Sequence, residues 1–335
     1  MVNSYKTYMI LLLLMSVAMQ GCIHEYHHNV NTPMPGNDGD PTTMDAFLEV
    51  AFDLKWETMI HSAEVNTKAT ARTEKPHRFI VEISQGGEKQ FKDEVYLSDD
   101  EFSLGTISRK LSKPLKASYY QISVWYDIED ETGNRSFHTE DLGKVSIINF
   151  STTDATVMQC AYASEILDLT GYEGSKDESV NVELELQHPG ARFEIVATDV
   201  QQFITNNKEA LNQGDKYTVN LTFSYGAFSA FNLYSHSVSY ESNELEMSGR
   251  MRLPFAEYDE LKIAEGFIFC EEEADVSLRL NVTNTALFIV SSPPSFSFPV
   301  KRGCVTIVSG DFLTSSLDGV FDIDHIWEGE IVIEV

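Results

Sequence analysis

Three residues near the start of the chain have the spacing of a zinc-hydrolase motif. His24, Glu25 and His28 form an H-E-x-x-H pattern, in which two histidines would bind zinc and the glutamate would act as base. That chemistry requires a helix, because residues four apart face one metal only there. Here the motif lies within residues 23–45, which are rich in His, Asn, Pro, Gly and Asp. This composition predicts a flexible tether with weak incidental metal affinity, so we expect no metal site.

The first of two acidic clusters could supply oxygen ligands for calcium, although it lacks the spacing of a calcium loop. The clusters are Asp127, Glu129, Asp130 and Glu131, followed by Glu271, Glu272, Glu273 and Asp275. Like charges repel one another, so we expect solvated turns or edges. A glycosidase would need two carboxylates across a cleft, which the sequence does not indicate.

Cysteines give one candidate covalent link. An exported chain meets an oxidising compartment, and Cys270 and Cys304 are the candidate disulfide because they fall in one predicted domain. The alternative is that these two and Cys160 are buried thiols. The sequence has no C-x-x-C, G-x-S-x-G or nucleotide-binding glycine motif, so it predicts no enzyme and no cofactor.

Three tryptophans, Trp56, Trp125 and Trp327, could form a stacking surface for carbohydrate. Packing in a core or at its rim is the favoured interpretation for each of them. The chain also carries 52 acidic against 24 basic residues, a net charge of −28, which repels phosphate backbones and argues against a nucleic-acid partner.

The first 22 residues predict export and anchoring. An apolar run over residues 9–19 is too short to span a bilayer and is typical of a signal peptide. It ends in Gly21-Cys22, which resembles the lipobox of bacterial lipoproteins. The resemblance implies cleavage before Cys22 and acylation of Cys22, which anchors the chain in a membrane. The alternative is an ordinary signal peptide followed by a chance cysteine.

The rest of the chain is patterned as strands. Alternating apolar residues recur at short spacing, for example over residues 78–84, 180–186 and 191–197, and turn-forming residues separate them. One short helix is predicted over residues 199–210. This pattern predicts an all-β fold of two β-sandwiches. A polar stretch at 171–179 divides the strands, so we predict a signal peptide at 1–21, a lipidated tether at 22–45, and domains at 46–178 and 179–335.

Several ordered motifs resemble fimbrillin-like lipoproteins of Bacteroides-type bacteria. They are Val124-Trp125-x-Asp127 with Asp141-Leu142, Pro189-x-Ala191-x-Phe193, and Pro299-Val-Lys-Arg302 followed by Thr306-Ile307 and Leu313-Thr314. The resemblance implies two transthyretin-like β-sandwich domains in tandem, lipid-anchored at the cell outer membrane, and a role as a fimbrial anchor or accessory subunit. It also implies that pilin is engaged by β-strand addition. The alternative is a surface adhesin that binds a glycan or host ligand with the same fold.

The C-terminal strand is the candidate partner strand. Ile331, Ile333 and Val335 share one face of this strand. The strand could close its own sandwich or extend into a neighbouring subunit, and we favour closure of its own sandwich.

Overall fold

The computed structural model describes most of the chain beyond residue 42. The described residues are 43–52, 57–58, 76–111, 114–129, 133–148, 159–172, 179–239, 245–253, 260–314 and 332–334. Residues 39–335 form one compact unit. Several predictions lie outside the described residues: the signal peptide, Cys22, the His24–His28 motif, Trp56, Asp130, Glu131, Trp327, Ile331 and Val335.

The first half of the chain is a series of strands with one short helix. In chain order they are β1 (Thr43–Ala51), β2 (Glu57–Thr58), β3 (His77–Gln85), β4 (Glu88–Leu97), α1 (Asp99–Phe102), β5 (Thr106–Lys110), β6 (Leu115–Lys116), β7 (Tyr119–Ile128), β8 (Phe137–His138), β9 (Val145–Ile147) and β10 (Cys160–Asp168). Ser98 caps α1, because its side chain accepts from the Glu101 N–H while the Glu101 carboxylate accepts from the Ser98 N–H.

The second half of the chain is also a series of strands, with two short helices. Its elements are β11 (Ser179–Glu185), β12 (Gly190–Ala197), α2 (Val200–Asn206), α3 (Lys208–Asn212), β13 (Tyr217–Tyr225), β14 (Ala230–Asn232), β15 (Ser237–Ser239), β16 (Leu245–Met251), β17 (Leu261–Phe269), β18 (Glu273–Thr283), β19 (Ile289–Ser291), β20 (Phe296–Lys301), β21 (Cys304–Gly310) and β22 (Val332–Glu334). The all-β prediction is confirmed, and the helix expected at 199–210 is present as α2 and α3.

The first sandwich packs two sheets around one apolar core. One sheet has the order β11-β1-β5, with β6 also on β1, and the other has the order β10-β7-β3-β4. Strand β11 runs parallel to β1, and its Val180, Val182 and Leu184 are buried in this core. The predicted boundary at 178/179 is therefore wrong, and the first sandwich continues through Leu186. The polar stretch before β11 is a loop within the domain, and sequence polarity alone cannot distinguish such a loop from a domain linker.

The second sandwich has the same two-layer construction. Its sheets have the orders β17-β12-β21 and β16-β13-β18, and β18 also pairs with β19 and β20. The outer edge of β21 carries β2 and β22. Alternating residues of β12 and β13, such as Phe193, Ile195, Val219 and Leu221, fill the core between the layers.

A third core joins the two sandwiches. A separate sheet of order β15-β14-β9-β8 combines strands from both halves of the chain. Behind it, Ile80, Trp125 and Tyr162 from the outer face of the first sandwich pack with Phe231 and Phe269 of the second half. The two sandwiches are therefore fused by a shared apolar cluster, which the sequence analysis did not predict.

Candidate functional site

The outer edge of β21 is the candidate site for a partner strand. On its inner side β21 pairs in parallel with β12 over six residues, from Arg192↔Val305 to Ala197↔Gly310. On its outer side two short segments cover it, both in parallel register. Glu57–Thr58 pairs with Cys304–Val305, and Val332–Glu334 pairs with Ile307–Ser309. The first segment has two residues and the second has three. Segments from opposite ends of the chain therefore share one edge of β21.

Strand β21 is held firmly at both of its ends. At its start Gly303 has φ 74, and its N–H donates to the Gly190 carbonyl at 2.9 Å. A left-handed turn favours glycine, because any Cβ would be strained there. Beyond its end, the Asp199 carboxylate accepts from the backbone N–H groups of Leu313 at 3.0 Å and Thr314 at 2.6 Å. These contacts fix β21 independently of the strands on its outer edge.

The free edges of the first sandwich have a different character. Strands β4 and β5 are edge strands, and their exposed residues include Lys92, Asp93, Glu94, Arg109 and Lys110. Charges on an edge strand prevent pairing with another chain, because strand addition would bury them. The edge of β21, by contrast, is mostly buried and is covered by short segments.

The predicted partner strand lies beside β21 within its own sandwich. The backbone of β22 places Val332 opposite Ile307 and Ile333 opposite Val308. This is the arrangement that we favoured from the sequence, in which the C-terminal strand pairs with a strand of its own sandwich.

The candidate disulfide between Cys270 and Cys304 is absent, and the structure has the alternative arrangement of buried thiols. Both residues and Cys160 are buried free thiols. Cys304 begins β21 and Cys270 follows β17, two strands that flank β12 on opposite sides. Burial raises the pKa of Cys270 to about 12, so it is not a thiolate nucleophile.

Asp127 was predicted in a solvated turn, and the structure contradicts this. Its carboxylate accepts from Arg78 Nε at 2.8 Å and Nη2 at 2.6 Å, and from the Trp125 indole at 3.0 Å. Both side chains of the pair are buried. Burial alone would lower the pKa of Arg78, but the hydrogen bonds and charge of Asp127 outweigh it and raise that pKa. The pair is structural, since it is closed off from solvent.

The other predicted site residues form an ion pair, lie exposed to solvent or pack in a core. Glu129 accepts from Arg135 Nε at 2.7 Å. The second acidic cluster is exposed at Glu271, Glu272, Glu273 and Asp275. Trp125 is fully buried in the shared core, as packing predicted. Among the described residues no three His, Cys, Asp or Glu side chains are grouped to hold a metal ion.

Sequence reasoning missed one exposed feature, the apolar run at residues 287–290, which spans the end of the β18–β19 turn and the start of β19. Its signal was present as four consecutive apolar residues, Leu-Phe-Ile-Val, which a strand pattern alone would place in a core. Within the described part of the chain, no helix has the length and apolar character needed to cross a bilayer.

An all-β protein of two fused sandwiches is the class that these observations define. A model of a family of unknown function (DUF6562) matches residues 41–335, so the chain belongs to that family. Among curated proteins, none matches the chain.

Solved structures with detectable similarity include proteins from Bacteroides and Porphyromonas species. A proposed adhesin from Bacteroides ovatus is 11% identical with a TM-score of 0.42, and the match covers 76% of each chain. The fimbrial anchor protein Mfa2 from Porphyromonas gingivalis is 13% identical with a TM-score of 0.41, and the match covers 74% of this chain and 82% of that one. A proposed polysaccharide-binding protein from Bacteroides thetaiotaomicron is 11% identical with a TM-score of 0.35, covering 74% and 79%.

Proposed function

We propose that this protein is a lipid-anchored subunit at the bacterial cell surface that acts by binding, as a fimbrial anchor or accessory subunit. Acylated Cys22 holds it in the outer membrane, and a pilin strand is added to the edge of β21. The observation that carries the proposal is the covering of this edge by segments of two and three residues. The resemblance of the sequence to fimbrillin-like lipoproteins supports the choice of a pilin partner.

The physical basis is strand addition to a sheet edge. An added strand gains a row of backbone hydrogen bonds, and its alternate side chains fill apolar sites. A long incoming strand competes well with short segments, because it forms more hydrogen bonds to the same edge. The contacts at Gly303 and Asp199 keep β21 in place while its outer neighbour is exchanged.

A peptide experiment tests the acceptor edge. A chain ending at Glu328 lacks β22, and it should stay folded and bind a fluorescent synthetic peptide with the sequence of residues 330–335. The full chain should bind this peptide weakly, because β22 already covers the edge. A control peptide with Asp in place of Ile331 and Ile333 should not bind. If the truncated chain unfolds, or binds both peptides equally, strand addition at this edge is contradicted.

A second experiment identifies the partner. The full lipoprotein is extracted from membranes with detergent, and co-purifying proteins are identified by mass spectrometry. Pilin subunits are the expected partners. Retention of polysaccharide without pilin would contradict the anchor role and favour the alternative of a glycan-binding adhesin.

The lipid anchor has its own test. Replacing Cys22→Ser should release the protein from the membrane fraction with its thermal unfolding unchanged. Continued membrane association of this variant would contradict acylation at Cys22.

A further inference from the structure

A run of four apolar residues is exposed where the turn after β18 leads into β19. Leu287 is 81% exposed, Phe288 70%, Ile289 61% and Val290 36%. The other large apolar side chains exposed in the described residues are separate from one another in sequence: Tyr96, Leu104, Tyr119, Ile166 and Tyr225. Contiguous exposed apolar surface marks an interaction site, because water disfavours it. We call residues 287–290 the apolar tip.

The apolar tip is held in one conformation. The Asn284 N–H donates to the Phe288 carbonyl at 3.0 Å, and the Leu287 N–H donates to the Asn284 carbonyl at 2.9 Å. The Asn284 side-chain oxygen accepts from the N–H groups of Ala286 at 3.1 Å and Phe288 at 3.0 Å. Leu287 adopts φ 63, a left-handed conformation that is unfavourable for leucine. The fold therefore presents these side chains outward in a fixed arrangement.

The apolar tip lies at the end of the second sandwich remote from the shared core. Strand β18 starts at Glu273, close to that core, because Phe269 belongs to it. The strand ends at Thr283, ten residues later, which is about 33 Å at the rise of a β-strand. The tip is thus separated from the first sandwich by the length of β18.

A basic groove lies directly beside the tip. The two are connected at Lys216, whose backbone N–H donates to the Thr285 hydroxyl at 2.9 Å. The groove has a volume of about 680 Å³, and its charged lining residues are Asp215, Lys216, Arg250 and Arg252. Three basic residues against one acidic residue reverse the balance of the whole chain, which has 24 basic and 52 acidic residues.

We propose that the apolar tip and the basic groove together dock on an anionic phospholipid bilayer. The tip would enter the interface between headgroups and acyl chains, where exposed Leu, Phe and Ile side chains are favoured. Lys216, Arg250 and Arg252 would face the lipid phosphates, which attract basic side chains near the membrane surface. The net charge of −28 repels such a surface elsewhere, so docking selects this end of the molecule. This contact is independent of strand addition at β21.

Vesicle flotation tests the proposal. The chain is produced from residue 22 with Cys22→Ser, so that neither the signal segment nor an acyl group contributes, and residues 39–335 remain one compact unit. It should float with vesicles of phosphatidylcholine containing about 30% phosphatidylglycerol, and at least about tenfold less with phosphatidylcholine alone. Added salt should weaken the binding, because ions screen the basic groove.

Matched variants separate the two contributions. L287S combined with F288S, and R250Q combined with R252Q, should each reduce flotation by about tenfold or more. The control Leu104→Ser removes an equally exposed leucine from the first sandwich and should float like the parent chain. Circular dichroism should show unchanged unfolding for all three.

Four results would overturn the proposal. Three of these concern flotation: no flotation of the parent chain, flotation unaffected by L287S/F288S, or equal flotation with both lipid mixtures. Self-association that depends on Phe288 in the absence of vesicle binding would also overturn it, and would identify a second copy of the chain as the occupant.

Discussion

The ring of Tyr162 on β10 packs edge-on against the ring of Phe231 on β14, with ring centroids 4.6 Å apart. Tyr162 belongs to the first sandwich and Phe231 to the second half of the chain, so this contact lies in the core that fuses them. The Arg302 guanidinium lies over the Phe231 ring at 5.2 Å, and the Tyr234 hydroxyl donates to Glu82 across the same junction. A force applied to one sandwich is therefore transmitted to the other through this core.

Removing Phe231 should weaken this junction. Phe231→Ala is expected to destabilise the protein by about 3–5 kcal/mol, because it leaves a cavity in a fully buried aromatic cluster. It should also split a single unfolding transition into two, since each sandwich keeps its own core. Calorimetry measures both effects. Tyr225→Ala, at an exposed position, serves as the control and should change the free energy of unfolding by less than about 0.5 kcal/mol.

The buried pair of Arg78 and Asp127 should be sensitive to loss of one charge. Asp127→Asn keeps the shape but removes the one carboxylate that accepts hydrogen bonds from Arg78 in the core, leaving only the longer ion pairs of Arg78 with Glu94 and Glu129 at 3.8 Å. We expect a loss of about 3–5 kcal/mol in urea unfolding. Glu273→Gln is the matched control, because its pair with Lys301 is about half exposed and should contribute less than about 1 kcal/mol. Equal losses in the two variants would contradict a structural role specific to the buried pair.

His188 should make stability depend on pH. Burial lowers its pKa below the ordinary value of 6.5, so the folded protein favours the neutral ring. The stabilisation is complete above about pH 6.5 and is lost as the pH falls below it, because the unfolded chain binds the proton more readily. Melting temperatures at about pH 7.5 and pH 5 measure the loss. The pH dependence should be smaller in His188→Gln, and an identical dependence in both proteins would assign it to other groups.

Gly226 should tolerate no side chain. It has φ 78, and a Cβ there would lie 2.0 Å from the Asp275 carbonyl oxygen. Gly226→Ala should therefore cost about 1 kcal/mol for the backbone and roughly 1–3 kcal/mol more for the clash. Gly214→Ala isolates the backbone effect, because Gly214 has φ 89 with nothing within 4 Å of the added Cβ. A similar loss at both positions would show that the clash is relieved by movement.

Local patterns were the part of the fold that sequence analysis predicted well. The alternation of Val180, Val182 and Leu184 predicts a strand with one buried face, and β11 has that pattern. The short helix after Asp199 was also predicted, and α2 begins at Val200. Such features depend on residues close together in the chain, so a single sequence carries them.

The assignment of strands to sheets was decided by the tertiary structure. The alternation in β11 shows which side chains are buried, but not that they enter the first sandwich beside β1. In the same way, β2 and β22 meet on one edge although they come from opposite ends of the chain. Register between distant strands depends on the total packing of both faces, which no local window contains.

The sequence by itself determined an acidic, strand-rich chain with a candidate anchor at Cys22. The tertiary structure decided where residues lie that depart from the usual pattern, namely charged residues that are buried and apolar residues that are exposed. Asp127 is buried because its partner, Arg78, stands 49 residues away. Residues 287–290 are exposed because the turn from Asn284 to Phe288 directs them outward. Burial and charge pairing are properties of neighbours in space, and distant residues become neighbours only when the chain folds.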